Sequence, residues 1–359
     1  MSRHDARMLP RERVFAALEF KAPDVVPLEY HPSPAGCYEH GTGLRRLWEE
    51  YPGDFGDARD FPDARPDPRW IGPDGRYCEM RRDEWGVLWR HLIFGIAGHP
   101  AERPLDDWAG LARFRTPALP ADSGPEFDRE RARAAEHRRK FFLKSGWISI
   151  FEVMHAVRRF EDVLMDIASD TPEAHLLADL IETYQAGYIR YLLRRGADAI
   201  QFGDDFGTQS SLMMDPRTWR HFFKPRYARL VRQVREAGKK VFFHTCGNAT
   251  TLFPDFAELG IAAIWPQLNA YNEEELAAFC RSSKIAVALH PDRGGLMTAG
   301  GPEDVRRAVE RLAGTFRVAE GGAWFYVELD AGFPLENVRA LIETVGRMRA
   351  PQDPLCKIE

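Results

Sequence analysis

Beyond Pro125 the chain falls into a repeating alternation in which short apolar runs, each long enough for one strand, are separated by stretches of helical spacing that often end near a glycine. The runs are Phe141 to Ile150, Ala199 to Gly203, Lys240 to His244, Ala262 to Pro266, Ile285 to His290 and Ala323 to Glu328. An amphipathic helix from Pro302 to Leu312 precedes the last run, and Pro334-Leu335-Glu336-Asn337 opens a final helix ending near Met348. Upstream, a helix from Pro10 to Phe20 feeds an extended run, Val25 to His31. Seven strands alternating with helices leave two architectures: an open doubly wound sheet, or a closed (β/α)8 TIM barrel with one strand still to be located.

The polar residues choose between them. A nucleotide-binding open sheet carries a Gly-rich phosphate turn after its first strand, and the sequence contains neither G-x-G-x-x-G nor G-x-x-x-x-G-K-[ST]. A barrel gathers its chemistry at the carboxyl ends of many strands. Glu29-Tyr30-His31, Asp204-Asp205, His244-Thr245-Cys246, Gln267-Leu268-Asn269, His290-Pro291-Asp292-Arg293 and Glu328-Leu329-Asp330 all stand where an apolar run stops. The reading is therefore an α/β chain forming a single (β/α)8 barrel over 1–359. Residues 32–124, rich in Pro, Gly, Asp and Trp, are an insertion whose hairpin pairs Tyr77 to Met80 with Gly86 to Trp89.

Composition narrows the function classes. In 359 residues, 49 Lys+Arg stand against 54 Asp+Glu, a formal charge of -5, so the chain has no excess positive field and nucleic acid is not an expected partner. No apolar run reaches the roughly 20 residues that span a bilayer, and the charged start MSRHDARMLPRER does not read as a signal peptide, so no membrane partner and a cytoplasmic location are expected. Cys37, Cys78, Cys246, Cys280 and Cys356 are odd in number and scattered, the pattern of reduced thiols, with a metal ligand open among them.

His244 and Cys246 are the sharpest local feature. Side chains alternate along a strand, so the two project to one side, and imidazole with thiolate is a zinc donor pair. An H-x-C pair read alone also fits a buried cysteine beside a hydrogen-bonded histidine, and zinc needs a third protein ligand. Glu328 is the first candidate for it, followed by His290 and Asp205. Asp204 and Asp205 point to opposite sides of an extended segment, and parity leaves open which one faces the site. Such a carboxylate orients a histidine, accepts a proton, holds a cation or caps a helix. Asp205, Asp204 and His290 are thus the catalytic candidates. Glu29, Tyr30, His31, Gln267, Asn269 and Arg293 are candidates for binding a small-molecule substrate.

The chain resembles the uroporphyrinogen decarboxylase superfamily, and within it the zinc-dependent methylcobamide:thiol methyltransferases. The likeness is carried by a series: Asp83-Glu84-Trp85-Gly86, Phe151-Glu152 with Phe160-Glu161-Asp162, Gly203 to Gln209, Met214-Asp215-Pro216 with Phe223-Lys224-Pro225, His244-Thr245-Cys246-Gly247-Asn248, and Pro334-Leu335-Glu336-Asn337. The resemblance implies one (β/α)8 barrel with its site in the mouth, Zn2+ on His244 and Cys246, and a corrinoid brought by a partner protein. That branch usually takes its third ligand from a Cys shortly before P-x-E-N, where this chain has Glu328 and no Cys.

The decarboxylases of the superfamily grip substrate carboxylates with arginines just after the first strand. Here Glu29 to Tyr38 contains no Arg, so a neutral or weakly charged substrate is expected. The function expected is methyl transfer between a corrinoid, or a methylated small molecule, and a thiol or related acceptor. A metal-free decarboxylase using Asp205 and His244, a zinc lyase or hydrolase, and a non-catalytic barrel remain open at this point, as does a homodimer.

Overall fold

Runs of four to seven residues, apolar in the parallel strands and more polar in the antiparallel ones, form the strands of the computed structural model, which describes residues 7–349. In chain order they are β1 Leu28–Pro32, β2 Glu79–Arg82, β3 Leu88–His91, β4 His99–Glu102, β5 Lys144–Ile148, β6 Ala199–Gly203, β7 Lys240–Thr245, β8 Ala263–Pro266, β9 Ala286–Leu289 and β10 Ala323–Leu329. The chain divides into two compact units, Met1–Ala64 with Lys140–Phe142 and Asn272–Glu359, and Arg65–Arg139 with Leu143–Tyr271. Cys356 lies outside the described residues. Among these residues no helix is long and apolar enough to cross a membrane.

In the first unit β1, β10 and β9 lie side by side, all parallel, with Glu29 opposite Tyr326 and His31 opposite Glu328. The sequence misses a further strand position here. Residues 53–55 are too polar to read as a strand, yet the Asp54 N–H donates to Leu28 O (2.8 Å) and Asp54 O accepts from Phe142 N–H (3.1 Å), extending the ladder beyond β1. Helix Pro34–Glu50 connects β1 to this segment. Ser33 caps it by accepting from the Gly36 N–H, and Pro34 stands where a missing N–H costs nothing. The stretch from 32 to 55 therefore belongs to the same unit as β1.

Asp54 is the buried centre of an ionic knot. Its carboxylate accepts from Leu28 N (2.8 Å), from Arg349 Nη1 (2.6 Å) and from Arg13, and Arg13 Nε also donates to Asp24 (2.6 Å). Burial alone would raise the Asp24 carboxyl, but the Arg13 hydrogen bond and charge, with two backbone N–H donors, hold it below the usual range. A depressed carboxyl pKa gives stability that is complete above the unfolded value, about 3.8, and is lost as pH falls through the folded value. Asp24→Asn is expected to flatten the acid limb of a stability-versus-pH curve below pH ~4 and leave its slope near pH 7 unchanged. An unaltered acid limb in urea titrations would remove Asp24 from this role.

The second unit holds the parallel set β5, β6, β7, β8 in that order. Every residue of β6 and β8 is buried, as expected of parallel strands covered on both faces. Helix Pro172–Arg195 leads into β6, capped by Thr171 and stopped by left-handed Gly196 (φ 109°). The same unit carries the antiparallel set β2-β3-β4. Its first hairpin turns at Asp83 to Gly86. There the Asp83 carboxylate accepts from Val87 N (2.9 Å) and Trp89 Nε1 (2.7 Å), and Gly86 takes a positive φ of 87°. This turn sets the pairing at 79–82 against 88–91, so each strand of the hairpin lies two residues further along the chain than the apolar pattern places it.

Candidate active site

Four neighbouring strands of the second unit end at one place. His244 belongs to β7, Asp205 follows β6 by two residues, Gln267 follows β8, and Glu152 begins the helix Phe151–Val157 after β5. The loops after β6 and β7 approach closely enough that a Cβ on Gly247 would stand 2.1 Å from Gly207 O, and Gly247 has a φ of 69°. Only glycine fits there. The approach is closed by Asn248 N–H to Thr208 O (2.7 Å), and it brings Asp205 against Cys246, whose N–H donates to Asp205 Oδ1 (2.7 Å).

His244 Nε2 lies 3.3 Å from Cys246 Sγ and 3.4 Å from Asp205 Oδ1. His244 Nδ1 is 2.8 Å from the carbonyl oxygen of Trp265. A carbonyl only accepts, so Nδ1 carries the hydrogen and Nε2 keeps its lone pair toward the thiol and the carboxylate. Three electron-rich atoms facing one another call for a proton or a cation between them. Tetrahedral zinc with bonds of ~2.0–2.3 Å separates N, O and S ligands by about 3.3–3.6 Å, and the two separations from His244 Nε2 agree. Residue types and spacing thus fit zinc.

A second group, Asp170, His175 and His221, is also close enough to share an ion, but its hydrogens are arranged differently. The Arg226 guanidinium stands 3.2 Å from His175 Nδ1 and can only donate, which leaves the hydrogen on Nε2, where it reaches Asp170 (2.7 Å). That histidine already uses its outward nitrogen.

Asp204 points the other way from Asp205. It is wholly buried and accepts from the N–H groups of Ile150 (2.8 Å), Phe151 (3.1 Å) and Glu152 (2.7 Å), and from the Tyr227 hydroxyl. Burial and then the Glu152 charge push its carboxyl up, against the pull of the three N–H donors. Read as a catalytic candidate, Asp204 is instead the cap of a helix, and of the two adjacent carboxylates Asp205 faces His244.

Glu152, to which the residue pattern alone assigns no role, also reaches the site. Its Oε1 accepts from the Asp205 N–H (3.4 Å) and pairs with His155 Nε2 (3.1 Å). Burial would raise its carboxyl, but the His155 hydrogen bond and charge and the Asp205 N–H outweigh that and hold it low. Gln267 accepts from the Gly247 N–H (2.9 Å) and pairs with the Gln209 amide (3.3 Å), so it braces the loop that carries Cys246. Asn269 sits exposed on the turn Leu268–Ala270.

The remaining candidates belong to the first unit. Arg293 Nη1 binds Glu328 Oε1 (2.5 Å) with Asp330 at 3.9 Å, so the residue expected as third metal ligand is engaged by a guanidinium, and beside His244 and Cys246 the third corner is Asp205. Glu29 is buried and accepts from Trp324 Nε1 (2.9 Å). Tyr30 faces the opposite side of β1, where it stacks on Trp48 (4.7 Å) and donates to Tyr51 O (2.7 Å). Expected to touch substrate, Tyr30 packs instead against the helix Pro34–Glu50, because alternation along β1 sends it away from Glu29 and His31. His31 is exposed and stacks on Tyr326 (5.3 Å). His290 is buried, its Nδ1 donating to Pro291 O (3.2 Å).

Parallel strands alternating with helices, with polar side chains at the strands' carboxyl ends, define an α/β fold of the TIM-barrel type. The sequence profile of uroporphyrinogen decarboxylase (URO-D) matches residues 136–348, more than half of the chain, and the protein belongs to that family. No curated protein matches it in sequence. Among solved structures, a methyltransferase from Methanosarcina mazei is similar over 96% of this chain and 100% of its own, with a TM-score of 0.64 at 15% identity. A B12-independent methionine synthase from a Shewanella species covers 85% of each chain with a TM-score of 0.39 at 12% identity. A dihydropteroate synthase from Anaplasma phagocytophilum covers 57% of this chain and 74% of its own with a TM-score of 0.39 at 17% identity.

Proposed function

We propose that the protein is a zinc-dependent methyltransferase of the uroporphyrinogen decarboxylase family, moving a methyl group between a corrinoid carried by a partner protein and a thiol or related acceptor. The observation that carries the reading is the Trp265 carbonyl on His244 Nδ1, which leaves Nε2 turned toward Cys246 Sγ and Asp205 Oδ1. His244, Cys246 and Asp205 would hold the ion. Zinc, when bound, supplies a Lewis acid that lowers the pKa of an acceptor thiol so that it reacts as the anion. Glu152 keeps Asp205 in place through its N–H, and the Asp205 carboxylate in turn holds the Cys246 backbone. The fold likeness to a protein named methyltransferase and the Arg-free stretch from Glu29 to Tyr38 support methyl transfer over decarboxylation of a polycarboxylate.

Metal analysis joined to two assays tests this. About one zinc per chain, with thiol-dependent demethylation of methylcobalamin, is the expected outcome. Efficient decarboxylation of uroporphyrinogen, or full activity in a preparation free of metal, overturns it.

A further inference from the structure

Of the nine tryptophans, Trp147 alone is exposed among the described residues, with 45% of its surface open, and it stands beside the His244 and Cys246 pair. Its ring centroid lies 5.7 Å from that of His244 and 6.4 Å from that of Trp265, which is itself 4.0 Å from His244. Leaving an indole half in water forgoes much of the burial that a residue of this size provides. Two glycines nonetheless build the position. Gly146, at a φ of 78°, opens an irregularity in the pairing of β5 with β6 between Ser145 and Ile148, a device that re-aims the neighbouring side chain. Gly203, on β6, leaves the space into which the indole fits, since a Cβ there would stand 2.2 Å from Trp147 Cζ2. The indole N–H has no acceptor among the described residues.

We propose that the open face of Trp147 is a stacking platform for a flat conjugated ring, holding a methyl-bearing ligand over the His244, Cys246 and Asp205 cluster. Around the cluster stand the neutral amides of Gln209 and Gln267 and the carboxylate of Glu152, and the ring contacts are aromatic, so the platform suits an uncharged π-surface rather than an anion. Two sources share this chemistry, the face of a corrin and a methoxylated arene. The corrin source rests on the function proposed above; the platform itself does not.

The test measures binding of hydroxocobalamin and of anisole, each by equilibrium dialysis, to the wild type, Trp147→Phe and Trp147→Ala, all loaded with Co2+ so that its absorption bands report whether the cluster is intact. At least one ring compound is expected to bind the wild type. Trp147→Phe should stay within about 3-fold, and Trp147→Ala should weaken binding at least ~10-fold, about 1.4 kcal/mol, with unchanged Co2+ bands. Anisole bound without cobalamin supports the platform and removes the corrinoid. Cobalamin bound equally by wild type and Trp147→Ala overturns the platform and leaves the methyl-transfer reading standing. Failure of both compounds to bind the wild type also overturns the platform.

Discussion

Purified His244→Ala/Cys246→Ala protein is expected to lose its zinc on dialysis, where the wild type keeps about one ion per chain. Two of the three donors are gone in that variant, and the remaining Asp205 carboxylate competes poorly with water, so affinity should fall by at least ~10^3-fold. The unfolding midpoint should change little, because β6 to β8 are buried by apolar neighbours irrespective of the ion. Single changes then identify the third ligand. Asp205→Asn should lower retention, since an amide is a weaker ligand than a carboxylate, while Glu328→Gln should leave it intact because Glu328 is held by Arg293. Retention by the double variant would end the zinc assignment, and loss in Glu328→Gln alone would move the third ligand to β10.

The second large effect lies in the first unit, beside the first residue of β1. Asp54→Ala leaves Arg349 and part of Arg13 buried without their carboxylate, and it removes the acceptor of the Leu28 N–H. Breaking a buried, hydrogen-bonded ion pair from one side typically costs ~3–5 kcal/mol. Urea unfolding should therefore show a loss of that order, with zinc retention unchanged in the fraction that remains folded. Asp54→Asn keeps the shape and one acceptor and should recover only part of the loss. A change under ~1 kcal/mol in Asp54→Ala would show that the arginines find other partners.

These two regions differ in how far they can be read from residues alone. The strand positions were legible because a buried parallel strand has to be apolar on both faces, so β6 and β7 appear as Ala199 to Gly203 and Lys240 to His244 without any partner being known. The strand-like segment around Asp54 was not, since its place in the ladder comes from two backbone bonds and its carboxylate is stabilised by arginines 41 and 295 positions away. Asp204 and Asp205 show the same limit on a smaller scale. Alternation separates them to opposite sides, and only the helix that begins at Phe151 decides which of the two caps it and which is left for the site.

His244 and Cys246 sharing a face is a property of two-residue periodicity, so the sequence by itself determined that pairing, the strand end that bears it and the absence of arginine from Glu29 to Tyr38. Tertiary structure alone decided that Asp205 is the third corner, that Trp265 sets the histidine tautomer through a backbone carbonyl, and that Gly146 and Gly203 turn Trp147 toward the pair. The physical reason is that local periodicity orients a side chain relative to its own strand. Which atoms meet it depends on the register of neighbouring strands and the close approach of their loops, and neither is encoded within any one segment.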